Sequence, residues 1–110
     1  MNNDIFQLKN LPERTIKPRN EGFTMVMDKG LSIRETEDFL SSSSSLVDIV
    51  KLGFGTGLFT QGLIEKIKIY QSAGIPIYFG GTLFEAYLVR NQLDDYERLL
   101  EKTKVDHVEI

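Results

Sequence analysis

The chain has 110 residues, a formal net charge of −3, 41% hydrophobic and 26% charged residues, and no cysteine. This is the composition of one globular domain with a modest core, and it excludes a disulfide framework, a thiolate metal site and a cysteine nucleophile. No apolar run approaches the roughly 20 residues of a membrane-crossing helix, and the weakly acidic balance argues against a nucleic-acid footprint. The first ten residues lack the basic-then-apolar layout of a signal peptide, so a cytoplasmic protein is expected, with no membrane or nucleic-acid partner. A small anionic ligand, which needs only two or three local cations, stays within reach.

Residues 1–20 are polar, carry Pro12 and Pro18, and read as an N-terminal arm; residues 21–110 read as one domain. The β-rich stretch Phe23 to Asp28 ends at the turn signal Lys29-Gly30. Ser32 with Glu35 three positions later forms a capping-box pattern ahead of a helix with Ile33, Phe39 and Leu40 on its apolar side. The serine run Ser41 to Ser45 reads as a helix end and loop; a phosphorylated or flexible linker is the alternative.

A second strand is expected over Leu46 to Gly53, with "FGTG" as its turn, and then a helix over about residues 60–72. Ala73-Gly74 stops that helix in the manner of a glycine C-cap. "IPIYFG" is the third strand, and a long helical stretch with a break near Asn91 leads to a fourth, "VDHVEI". Such alternation calls for right-handed βαβ units and a parallel sheet with helices outside. The run of units ends inside a strand, which suits about the first half of a (β/α)8 TIM barrel, β1 to β4, and a partial form of a longer chain. Four parallel strands with an open edge also lead us to expect association, as a homo-oligomer or with further chain.

Four ordered motifs, "KPRNEGFTMVMDKG" (Lys17 to Gly30), "DIVKLGFGTG" (Asp48 to Gly57), "IYFGGTLFEA" (Ile77 to Ala86) and "DHVEI" (Asp106 to Ile110), resemble the phosphosulfolactate synthase family. The resemblance implies a barrel enzyme that adds sulfite to phosphoenolpyruvate with Mg²⁺, giving phosphosulfolactate on a route to coenzyme M. The family usually has tryptophan where Phe54 stands, serine where Gly57 stands and proline where Phe79 stands, all flanking the expected site. The alternatives are therefore a non-catalytic, stress- or sporulation-related relative, or an enzyme acting on another phosphorylated small molecule.

In such a barrel the site is built at the C-terminal ends of the strands. Gly53, Gly55 and Gly80-Gly81 stand there, where bare backbone N–H groups can approach an anion and relieve steric limits on φ, with Thr56 and Thr82 adding hydroxyls. Glycines that merely bend a turn would look the same. Lys51 interrupts an apolar strand one step before its turn, and a buried ammonium requires a partner. It is the expected catalytic cation, set to neutralise phosphate or an enolate; a lysine snorkelling to the rim is the bland alternative. Lys29 extends the phosphate site. Asp28 and Glu109, ending strands one and four, are the expected Mg²⁺ ligands, and Glu85, early in the third helix, a further catalytic acid. Asp28 could instead form only a turn, and Glu85 could answer only the helix dipole. Arg19 lies at the opposite end and suits a subunit or packing contact, and His107 suits a packed or hydrogen-bonded role.

Overall fold

A computed structural model describes residues 3–110. A short helix α1 (Asn3–Phe6) precedes an irregular arm. Then follow β1 (Met25–Asp28), α2 (Ile33–Ser43), a 3₁₀ turn (Ser44–Leu46), β2 (Ile49–Leu52), α3 (Phe54–Phe59), α4 (Leu63–Ser72), β3 (Ile77–Phe79), α5 (Gly81–Val89), α6 (Leu93–Thr103) and β4 (His107–Val108). The four strands form one parallel sheet in the order β1-β2-β3-β4. This is the α/β architecture expected of a partial (β/α)8 barrel. No helix among the described residues is long and apolar enough to cross a membrane.

The boundaries follow local chemistry. Ser32 caps α2 and forms the reciprocal box with Glu35, satisfying two of the backbone donors a helix start leaves free. The serine run continues α2 to Ser43 before the 3₁₀ turn, rather than fraying at its start. The expected break near Asn91 divides the long helical stretch into two helices, α5 and α6, with Asn91 at φ 57° between them. The expected "FGTG" turn is instead the start of α3, which buries Gly57.

Register fixes which residues share a face. Met27, Lys51, Tyr78 and His107 stand in one row, and Asp28, Leu52, Phe79 and Val108 in the next. Successive strand residues point to opposite sides, so the two rows face opposite ways. The side carrying Val50, Leu52, Ile77 and Phe79 is sealed, and packs with Leu40, Ile67, Tyr70, Leu83 and Tyr96 from the helices into the core. The other side carries Met25 and Met27, both exposed. In barrel terms the first is the outer, helix-covered side and the second the lumen side.

At the N-terminal ends of the strands the arm is fastened by cations. Arg19 pairs with Asp48 at 2.7 Å and donates to the Ser45 carbonyl, Lys17 donates to the Ser44 carbonyl, and Arg14 donates to the Thr24 hydroxyl and the Leu46 carbonyl. Arg19 is thus the packing contact that its place in the chain suggested. Burial alone would raise the Asp48 carboxyl, but the Thr24 N–H and the Arg19 guanidinium outweigh it and hold the group below its ordinary range.

Candidate functional site at the strand tips

Lys51 and Glu109 meet at the C-terminal end of the sheet, on the lumen side. The Lys51 ammonium lies 3.0 and 3.1 Å from the two Glu109 carboxylate oxygens. These residues come from β2 and from just beyond β4, with β3 between them, so the two long side chains bridge over the tip of the middle strand. Neighbouring strands stand about 4.8 Å apart, which is why residues of this length are needed. Glu109 Oε1 also accepts the Gly81 N–H at 2.9 Å. That bond and then the Lys51 ammonium hold the Glu109 carboxyl below its usual range, against a smaller opposing effect of burial.

The tandem glycines at the tip of β3 owe their identity to this bridge. A Cβ on Gly80 would stand 3.0 Å from Lys51 Cε, and one on Gly81 would stand 3.2 Å from Glu109 Oε1. Their backbone is ordinary for any residue, with Gly80 at φ −67° and ψ 162°. The expected relief of φ is therefore not their function; the space is. The same correction holds for Gly53 (φ −65°). Gly55 lies within α3 rather than in an open loop, and neither it nor Gly53 has an atom near enough to crowd an added Cβ.

The remaining expected binding residues divide into separate places. Lys29, Gly55 and Thr56 line an open cleft of about 730 Å³ between the β1–α2 loop and the α3–α4 junction, together with Ser32, Thr60 and Gln61. Thr82 and Glu85 are exposed on α5, Glu85 one helical turn beyond Gly81. No hydrogen bond joins Glu85 to Lys51 or Glu109, so the structure does not gather the two expected catalytic residues into one contact. His107 is half exposed and hydrogen-bonds its neighbour Asp106 at 2.7 Å.

Asp28 corrects the expectation most sharply. It lies in the row opposite to Lys51, on the helix-covered side, and is 2% exposed. Its Oδ1 accepts Lys66 Nζ at 2.9 Å and the N–H groups of Gly30 and Leu31, each at 2.9 Å. Its Oδ2 accepts the Tyr70 hydroxyl at 2.7 Å and stands 2.8 Å from Lys66 Nζ. Burial opposes ionisation, yet Lys66, Tyr70 and the two N–H groups outweigh it and the carboxyl titrates below its ordinary value. The same burial, with the Asp28 hydrogen bond, pushes the Tyr70 hydroxyl well above its own.

Magnesium can be tested against these donors. It takes several oxygens around one point, whereas Asp28 and Glu109 lie on opposite sides of the sheet with their oxygens already engaged. Among the described residues no group of three acidic, histidine or cysteine side chains converges. The expected Asp28–Glu109 metal pair does not fit.

Lys66 and Tyr70 were not singled out by sequence reasoning. The available signal was position: Lys66 follows Leu63 by three and precedes Tyr70 by four, which places a lysine within the buried stripe of α4.

Residues 12–110 match the family described as (2R)-phospho-3-sulfolactate synthase (ComA). The chain is similar to three curated proteins called phosphosulfolactate synthase. It is 36% identical to the one from Bacillus subtilis, with 91% of this chain and 40% of that protein covered. The corresponding figures are 39%, 77% and 34% for Methanothermobacter thermautotrophicus. They are 38%, 81% and 36% for Methanocaldococcus jannaschii. The chain thus spans between a third and two fifths of the length of these relatives.

Proposed function

Because the chain belongs to the (2R)-phospho-3-sulfolactate synthase (ComA) family, we propose that it forms part of an enzyme that adds sulfite to phosphoenolpyruvate, giving phosphosulfolactate on a route to coenzyme M. One observation carries this reading. A lysine from an otherwise apolar strand stands at the sheet's C-terminal end, 18% exposed at its side chain, bedded on Gly80 and paired with Glu109. Barrel enzymes build their sites at that end.

The chemistry asks for such a cation. The lone pair of sulfite sulfur forms the new C–S bond at the methylene carbon of phosphoenolpyruvate. The displaced π pair moves toward the carboxylate as an enediolate, which takes up a proton at the phosphate-bearing carbon, and the phosphate ester stays intact. Negative charge therefore accumulates on a substrate that is already an anion. In this reading Lys51 holds the substrate's carboxylate or phosphate and offsets the growing charge. Asp28 and Glu109 lie on opposite sides of the sheet and offer magnesium no shared site.

Two of the three residues that prompt the alternative of a non-catalytic relative, Gly57 and Phe79, pack against each other on the helix-covered side. Phe79 is buried in the core, and a Cβ on Gly57 would touch its ring at 3.4 Å. A small residue beneath a large one is a packing exchange, and it leaves Lys51, Glu109, Gly80 and Gly81 as they are.

The test is an assay of the complete protein with phosphoenolpyruvate and sulfite. We expect sulfite-dependent loss of phosphoenolpyruvate, reduced by about 10²–10³-fold in a folded Lys51→Met variant, the cost of removing one preorganised charge stabiliser. Absence of sulfite-dependent consumption by the unaltered complete protein overturns the proposal.

A further inference from the structure

We propose that Glu109 is a displaceable stand-in for the substrate: an incoming carboxylate or phosphate takes over the Lys51 ammonium and the Gly81 N–H by driving the Glu109 carboxylate off them. The inference rests on the reading of Lys51 as the substrate-facing cation and adds a mechanism of entry.

Three observations converge on it. Lys51 has Glu109 as its hydrogen-bonding partner in the structure, through both carboxylate oxygens. The Gly81 N–H, a second donor an anion would seek, is also taken by Glu109. The cradle beneath the carboxylate is bare backbone, and a Cβ at position 80 or 81 would crowd Lys51 Cε or Glu109 Oε1 at 3.0 and 3.2 Å.

The contacts of the carboxylate separate a stand-in from a permanent salt bridge. Among the described residues Glu109 is held by the Lys51 ammonium and the Gly81 N–H, so rotation of its side chain frees both donors at once. The Asp28–Lys66 pair shows the contrasting design, with both side chains at 0% exposure and further donors on each oxygen. A phosphorylated carboxylic acid approaching Lys51 with Glu109 in place would meet a like charge in direct contact with the cation it seeks. It binds with full strength only when the carboxylate has left, and its apparent affinity is lowered by the fraction of molecules in which Glu109 is engaged.

The experiment is calorimetric titration of phosphoenolpyruvate and, separately, inorganic phosphate into the complete protein and its Glu109→Gln, Glu109→Ala and Lys51→Met variants. With Glu109 engaged in most molecules, both Glu109 variants bind phosphoenolpyruvate tighter, by about 10-fold for a ten-to-one resting bias, while Lys51→Met binds it far more weakly. Tightening with both anions assigns the position to the phosphoryl group; tightening with phosphoenolpyruvate alone assigns it to the carboxylate. Unchanged or weaker binding in both Glu109 variants, with binding still lost in Lys51→Met, overturns displacement and leaves the site reading intact. Unchanged binding in Lys51→Met overturns the site reading itself. In the unaltered protein, the Gly81 amide resonance moves on addition of phosphoenolpyruvate if the carboxylate is replaced; a static resonance at saturating ligand overturns displacement without recourse to any variant.

Discussion

Lys66 and Asp28 face each other at 2.8 Å beneath the helix-covered side of the sheet, and solvent reaches neither side chain. Lys66 also donates to the Leu31 carbonyl at 2.6 Å, so the pair fastens α4 to the loop that follows β1. Breaking a buried pair from one side leaves an uncompensated charge, at a cost of about 3–5 kcal/mol. Lys66→Met is therefore expected to destabilise the complete protein by that amount in a denaturant titration. The double change Asp28→Leu with Lys66→Met, which removes both charges, is expected to cost less than the two single changes summed. Additive losses would show that the two groups do not act as a pair.

Acid has a defined effect through the same carboxylate. Asp28 titrates below its ordinary value of 3.8 in the folded protein, so between the folded and unfolded values the unfolded chain binds more protons. The stability this group contributes is complete above pH 3.8 and is lost as pH falls through the lower folded value. Asp48 and Glu109 are shifted in the same direction. At the alkaline end Tyr70 is raised above 10.0; its contribution is complete below that pH and is lost as pH climbs through the folded value. Unfolding midpoints measured from pH 2 to 12 should fall at both ends, and Tyr70→Phe should flatten the alkaline arm.

Gly80→Ala separates space from flexibility. The backbone at this position suits alanine, so the fold should survive with little change in thermal midpoint. The added methyl must move Lys51, whose Cε lies 3.0 Å from it. A shift of a few tenths of an ångström is well short of the roughly 1 Å misplacement that costs about 100-fold, so, if Lys51 acts as proposed, we expect a loss of kcat/KM in the complete protein of roughly 3- to 10-fold. A normal rate with a normal midpoint would remove the steric role assigned to this glycine.

Gly57 and Phe79 should behave as a unit. Gly57→Ser places new atoms beyond a Cβ that already touches the Phe79 ring, and overpacking of this kind costs about 1–3 kcal/mol. Combining it with a smaller residue at position 79 should recover part of that loss, which a double-mutant cycle in denaturant would read directly.

The βα alternation, the parallel sheet, the capping box at Ser32 and the break near Asn91 were legible because each has a local signature. Lys51 was legible for the same reason, since an ammonium inside an apolar strand stands out. Partners distant in sequence were not. The contact between Lys51 and Glu109 spans 58 positions and that between Lys66 and Asp28 spans 38. Alternation groups Asp28 with Val26, but which side of β1 matches which side of β2 is set by register, and register is a property of the assembled sheet. The helix α3 escaped notice because its sequence "FGTGLF" contains glycines that disfavour helix when taken alone. Gly80-Gly81 was found for its chemistry while its cause, room for two side chains crossing from neighbouring strands, was visible only in three dimensions.

The latch formed by Arg14, Lys17 and Arg19 has a consequence for how the molecule breathes. These cations grip carbonyls and Asp48 at the floor of the sheet, whereas the opposite rim is bridged on its lumen side by the Lys51–Glu109 contact. Thermal opening should begin at that rim and die away toward the floor, so amide exchange ought to be fastest near Gly81 and slowest near Val50.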